Sequence, residues 1–234
     1  MKTTRLMKGL ALGLAGLAGL CVMPAAAQEA GAGISVFVPS TLIRNGSGSI
    51  AFEQGLSTSI GLGSTLSVPM GFVYHGADGW RLEDAAFTDN GKAALHGDIL
   101  MPYVGLQAKL PLGAGFFIQA HAAAAGSYAF RLESSGQELA AGLAGAGETV
   151  AIKSLGIGKK IGYGYLAGGA IGITIAQVSV VLGAEWRSIR QPAPLSGEIY
   201  RVTGAAASLE TLSLPNAKAL LEGVAFKLGG SFKF

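Results

Sequence analysis

The eight residues KLGGSFKF, at 227–234, constrain this chain more than any other stretch. Taken at period two with the residues before them, Val224, Phe226, Leu228, Gly230, Phe232 and Phe234 share one face, and Gly223, Ala225, Lys227, Gly229, Ser231 and Lys233 share the other. Successive side chains of a strand point to opposite faces, so this is a strand with one apolar and one polar side. An apolar face that runs through to Phe234 has to be covered by something. What covers it decides the fold.

The front of the chain narrows the choice. Lys2, Arg5 and Lys8 precede an apolar run from Gly9 to Val22, and Ala25-Ala26-Ala27 supplies the small residues of a cleavage site. This pattern predicts a signal peptide over 1–27 and a mature chain over 28–234. A retained anchor is the alternative, but the run is short for a membrane span. Cys21 raises a lipoprotein reading, for which Leu20 is a poor preceding residue. Three of the 17 Lys and Arg leave with the leader, so 14 face 14 Asp and Glu in the mature chain. The basic balance is therefore a property of the precursor, and nothing points to nucleic acid. Because Cys21 is the only cysteine, the mature chain has no disulfide, cysteine ligand or cysteine nucleophile.

Charged residues are only 13 % of the chain, about half the usual share. Yet no stretch after Ala27 has the length and continuous apolarity of a spanning helix. An exported, apolar, Gly-rich chain of this kind predicts a transmembrane β-barrel, in which alternate residues face lipid. Lipid on the even face of the last strand leaves Lys227 and Lys233 inside. The opposite register would put Lys227 in hydrocarbon at a cost of about 2–4 kcal/mol.

Alternation recurs upstream. Residues 161–175 and 177–187 flank a tight turn near Ala176; residues 99–110 and 116–132 flank Leu112-Gly113-Ala114-Gly115; residues 49–60 and 65–74 flank Gly61-Leu62-Gly63-Ser64. A shorter first strand is predicted over 34–43, weakened by Pro39 and closed by the hairpin dipeptide Asn45-Gly46. The expected fold is all-β, an eight-stranded antiparallel barrel. Its tight turns near 62, 113 and 176 alternate with long segments at 76–97, 133–159 and 190–221, as short periplasmic turns alternate with long extracellular loops. Short loop helices are expected over 81–87, 137–144 and 216–222. Tyr74, Tyr128, Phe130, Tyr163, Tyr165 and Trp186 fall near the loop ends of their strands, and Phe116, Phe232 and Phe234 near the turn ends, as two interfacial girdles.

The ending Lys227-x-Gly229-x-x-Phe232-x-Phe234 resembles the C-terminal signal that the barrel assembly machinery recognises in outer-membrane β-barrel proteins. The size, the eight-strand layout and the Gly/Ala-rich lumen most resemble the outer-membrane protein W family. That resemblance implies the outer membrane of a diderm bacterium, contact with its lipid, and a narrow apolar-lined barrel for small hydrophobic molecules.

Catalytic and cofactor motifs do not stand up. Gly156-Ile157-Gly158-Lys159-Lys160 lacks the Ser/Thr and the spacing of a phosphate loop, and Gly162-Tyr163-Gly164 lies within a strand. His121 shares the inward face with Gln119, Ser127, Arg131 and Glu133. Ser127 is six residues along the strand, roughly 20 Å away, so no intrastrand dyad forms. His75 and His96 are too far apart to read as a metal pair. No enzyme activity, cofactor or metal is expected.

The predicted lumen carries Glu53, Tyr103, Lys109, Phe117, His121, Arg131, Glu133, Glu185, Arg187 and Lys227, with charges of both signs that pairing would offset. A strip of small residues, including Gly164, Gly168 and Gly172, is expected to keep a slot open for an apolar solute, closed toward the periplasm by Lys109, Phe117 and Lys233. The alternative is that bulky inward residues such as Phe37, Tyr103 and Phe117, or an inward-folded loop, fill the space. Two functions follow: a narrow channel or binding barrel for small hydrophobic molecules, or a surface barrel with an inert lumen whose loops bind host or matrix partners. The apolar loop at 190–221 favours a fold over the mouth or a partner contact.

Overall fold

The computed structural model describes residues 33–37, 42–44, 47–49, 52–87, 94–158 and 161–233. The expected leader, the dipeptide Asn45-Gly46 and Phe234 lie outside the described residues. In chain order the elements are β1 (Gly33–Phe37), β2 (Leu42–Arg44), β3 (Ser47–Ser49), β4 (Phe52–Gly61), β5 (Leu66–Glu83), β6 (Ala94–Gly113), β7 (Phe116–Ser134), α1 (Gly136–Leu143), β8 (Glu148–Ile157), β9 (Gly162–Ile175), β10 (Val178–Pro192), β11 (Leu195–Thr203), β12 (Ala206–Leu214) and β13 (Lys218–Lys233).

Alternation makes the long strands, and the turns make the hairpins. Gly113, Ala114 and Gly115 all take positive φ (98°, 49° and 82°), which reverses the chain tightly between β6 and β7. Ala176 does the same at φ 56° between β9 and β10. The wall runs β1-β4-β5-β6-β7-β9-β10-β13, antiparallel throughout. Its two edges meet on β1, which pairs with β4 from Gly33↔Ser59 to Phe37↔Gly55 and with β13 from Gly33↔Lys233 to Phe37↔Gly229. Nearer the loop end β13 reaches β5 directly, with Lys218 opposite Glu83.

Several sequence expectations change here. The expected strand at 34–43 is matched on both sides of residues 38–41, which lie outside the described residues: β1 and β2 both run along β13, with Phe37 opposite Gly229 and Leu42 opposite Ala225, and β2 pairs with β3 up to Arg44↔Ser47. The expected helices at 81–87 and 216–222 are not helical. Arg81, Leu82 and Glu83 belong to β5 and pair with Leu220, Ala219 and Lys218, so a partner strand overrides local preference on both sides. The helix expected at 137–144 forms as α1. The long segments 133–159 and 190–221 are not irregular loops either. They supply α1 and a three-stranded antiparallel sheet of order β12-β11-β8 that caps the loop end.

Outward faces are apolar and bare. Leu106 (61 % exposed), Tyr163 (66 %) and Ile175 (69 %) stand beside exposed Val104, Leu110, Ile171, Val180, Leu182, Phe226 and Leu228 on adjoining strands. An apolar belt of this extent does not face water. With alternate polar residues inside, it marks a membrane-type barrel.

Parity changes once on β7. Odd residues from Phe117 to Ala129 point inward, and then Ile99 pairs with Ala129 while Asp98 pairs with Arg131, leaving Phe130 as the extra residue of a bulge. Beyond it Arg131 and Glu133 turn outward, exposed and ion-paired at 2.7 Å. Both were expected inside; a one-residue bulge reverses the face of everything after it.

Candidate functional site

The barrel interior divides at about its middle. Toward the loop end it is lined by buried side chains. Val73, His75, Ile99, Met101, Ala125, Leu166, Ile189, Leu221 and Ala225 are buried, and the apolar members of this set join Leu139 and Leu143 of α1 and Leu195, Ile199, Leu212 and Leu214 of the cap in one core. Leu195, Ile199, Leu212 and Leu214 of the 190–221 segment thus have partners within the chain itself, whereas Tyr200 and Leu209 are exposed.

Toward the turn end lies a cavity of about 340 Å³. Gly61, Gly63, Ser64 and Thr65 line it at the β4–β5 turn; Tyr103, Gln107 and Lys109 of β6, Phe117, Gln119 and His121 of β7, and Ser57 and Ser59 of β4 form part of its wall. Glu185 and Lys227 close its deep end. The Lys109 ammonium sits 3.6 Å from the centre of the Phe117 ring, a cation–π contact.

Glu185 is the hub of the deep end. One carboxylate oxygen accepts from Arg187 Nε at 2.8 Å; the other meets His121 Nε2 at 2.6 Å and accepts from Lys227 Nζ at 2.6 Å. Three strands, β7, β10 and β13, bring these groups together, and their inward parity aims them at one point. Burying a carboxylate is costly unless charged donors surround it, and here they do. Farther toward the loop end, the buried Ser127 hydroxyl donates to Gln191 Oε1 at 2.7 Å.

The residues expected in the lumen separate into groups. Tyr103, Lys109, Phe117, His121, Glu185 and Lys227 line the cavity, and so does Gly229. Arg187 is fully buried behind Glu185. Gly164, Gly168 and Gly172 do not line it. A Cβ at Gly164 would meet Ile189 Cα at 2.7 Å, one at Gly168 would meet His121 Cε1 at 3.0 Å, and Gly172 is overlain by the Phe117 ring. The open apolar slot expected along this strip is therefore occupied by neighbouring side chains and backbone. Arg131 is outside the barrel. Glu53 lies on β4 opposite His75, and its side chain, like those of Phe232 and Phe234, lies outside the described residues.

Sequence reasoning did not single out Gln107, Ser57, Ser59 or Ser179 as lining residues. Their inward parity was the available signal, but their chemistry is common on any polar face. Among the described residues no three His, Cys, Asp or Glu side chains converge as a metal site requires.

In the cap, Arg201 of β11 bonds Glu148 of β8, Glu210 of β12 at 3.1 Å and the Leu143 carbonyl of α1 at 3.3 Å. One guanidinium thus ties together every element of the cap. The Gly145 amide, donating at 3.0 Å, and then Arg201 hold the Glu148 carboxyl below its ordinary value.

No protein-family model matches the chain, and no curated protein matches it. Among solved structures it is similar to Ail, the attachment invasion locus protein of Yersinia pestis, at TM-score 0.38 and 11 % identity over 87 % of this chain and 99 % of that one. It is similar to a major outer membrane protein of Thermus thermophilus at TM-score 0.38 and 13 % identity, again over 87 % and 99 %. An outer membrane channel of Pseudomonas putida follows at TM-score 0.24 and 11 % identity, over 87 % and 94 %. The barrel assignment rests on the strand registers and the bare apolar belt, not on these scores.

Proposed function

We propose that this chain is an outer-membrane barrel of a diderm bacterium that holds its folded cap at the cell surface and does not pass solutes through its lumen. The observation that carries this reading is the filled loop-end half, where Met101, Leu166 and Ile189 are buried between the cavity and the cap. A conduit for small hydrophobic molecules needs a continuous path, and an eight-stranded barrel is just wide enough to be filled by side chains or to hold one small ligand, so a filled half interrupts that path. The exposed apolar belt supports the membrane setting, and the sequence pattern at 227–234 supports delivery by the barrel assembly machinery. In this orientation the tight turns face the periplasm. The surface of the cap, with Tyr200 and Leu209 exposed, is what a host or matrix partner would meet.

Purified protein in planar bilayers tests the lumen: the expected result is no resolved conductance, and stable single-channel steps would overturn the reading. Orientation is tested on intact cells with a membrane-impermeant maleimide. Leu209→Cys should label and Gly63→Cys should not.

A further inference from the structure

We propose that the free edge of the cap sheet is a pairing surface for a second copy of this chain. The sheet has two edge strands, β8 and β12. A bare edge templates association, and proteins blunt it with charges, bulges or a covering element. β8 carries all three. Glu198 pairs with Ser154 and Ile199 with Ile152, so Lys153 is the extra residue of a bulge. Lys153 is exposed and ion-paired to Glu198 at 2.8 Å, and α1 packs against the strand. β12 carries none of these. Its register against β11 is unbroken from Ala206 to Leu214, it holds no proline, and its one charge, Glu210, already takes Arg201 and the Ser208 hydroxyl.

The hairpin sets what this edge offers. Thr203 and Ala206 flank a two-residue turn of Gly204, at φ 61°, and Ala205. They are therefore a hydrogen-bonded pair, and the even residues of β12 bond β11. The N–H and C=O groups of Ala207, Leu209, Thr211 and Ser213 point to the free edge, and among the described residues they have no hydrogen-bond partner. Another extended chain matches such a row group for group.

β12 fits itself. Antiparallel pairing centred on Leu209 sets Leu209 against the copy's Leu209, Ala207 against Thr211, and Ser208 against Glu210. The last two are a donor and an acceptor that already meet at 3.0 Å within the strand. A centre at Glu210 would instead oppose two carboxylates, which is unfavourable. The axis of an antiparallel pair stands perpendicular to its sheet. Both copies therefore keep Leu212 and Leu214, which join the core, on the same side, as two copies in one membrane must. This uses the membrane setting proposed above. The Leu209 side chain stays on the open face of the joined sheet.

The test is cross-linking in isolated outer membranes with a short bifunctional thiol reagent, the parent protein serving as blank. Leu209→Cys should give a dimer band at least tenfold stronger than Ser213→Cys, whose two copies this register sets about 27 Å apart. Adding Thr211→Pro to Leu209→Cys removes an edge amide without touching the β11 ladder and should weaken the band at least tenfold. If Thr211→Pro opens the cap to protease, Ala207→Pro is read instead. Leu209→Cys carrying a benzophenone maleimide should give, on irradiation, a product of twice the chain mass; a product of another mass would assign the edge to a foreign strand. That result, no dimer band, equal bands at the two positions, or a band that survives the proline would each overturn the proposal. Single-channel steps would overturn the closed lumen without touching these cross-links, so the two failures are distinguishable.

Discussion

His121 Nε2 and the Glu185 carboxylate meet at 2.6 Å across a strand to which neither belongs. β9 lies between β7 and β10, and its Gly168 is the register partner of both residues. A Cβ there would sit 2.8 Å from Glu185 Cα and 3.0 Å from His121 Cε1. Gly168→Val should therefore force the pair apart and destabilise the barrel by about 1–3 kcal/mol, the usual cost of overpacking. The midpoint of urea unfolding reads this, and an unchanged midpoint would contradict the bridge.

Removing the hub should cost more than crowding it. Glu185→Gln leaves Arg187 and Lys227 buried without their carboxylate, and breaking a buried pair in this way costs about 3–5 kcal/mol. Adding Lys227→Met to Glu185→Gln should recover part of that loss, because it removes one stranded cation. If the double variant is as unstable as the two single losses summed, Lys227 and Glu185 do not interact as the 2.6 Å contact implies.

The cap should come undone at one residue. Arg201→Ala removes the group that ties α1, β8 and β12 to β11. Limited proteolysis is expected to appear at 144–148 while the barrel keeps its heat-dependent gel mobility. Cleavage no faster than in the parent protein would show that the apolar residues under the cap suffice.

Acid should loosen the same place. The folded Glu148 carboxyl lies below its ordinary value of 4.5, chiefly through the Gly145 amide and then Arg201. A depressed folded value stabilises the cap fully above the ordinary one and loses that contribution as pH falls through the folded one. Amide protection at residues 145–150, taken relative to the intrinsic exchange rate at each pH, should fall below pH 4.5, and Glu148→Gln should remove that pH dependence. An equal loss of protection in Glu148→Gln would assign the effect elsewhere.

Delivery is tested at the last residues. Replacing Phe232 and Phe234 by Ser should leave the chain in the periplasm or degraded. Normal outer-membrane levels of that variant would remove the assembly role from the pattern.

The period-two pattern made the hairpins at Gly113 and Ala176 legible, because a membrane wall punishes a slipped register along its whole length. It misplaced Arg131 because a bulge at Phe130 has no compositional mark. It put helices at 81–87 and 216–222 because these short pieces have no strong alternation; pairing with each other and with β6 and β10 makes 81–83 and 218–222 strands. The cavity's deep end was legible as a set of inward charges but not as a cluster. His121 and Glu185 are 64 residues apart, and their meeting depends on a glycine between them. The glycines themselves read as empty space; they are where neighbours come close.

β13 hydrogen-bonds β10, β1, β2 and β5. Until its 16 residues are made, β10 and β1 each present a bare edge to any passing strand. Such edges template aggregation, and the contact that covers β1 joins segments nearly the length of the chain apart, the slowest kind to form. An unfinished copy of this protein is thus a sticky object with nothing of its own to hide behind. The cell has to shelter it for that interval.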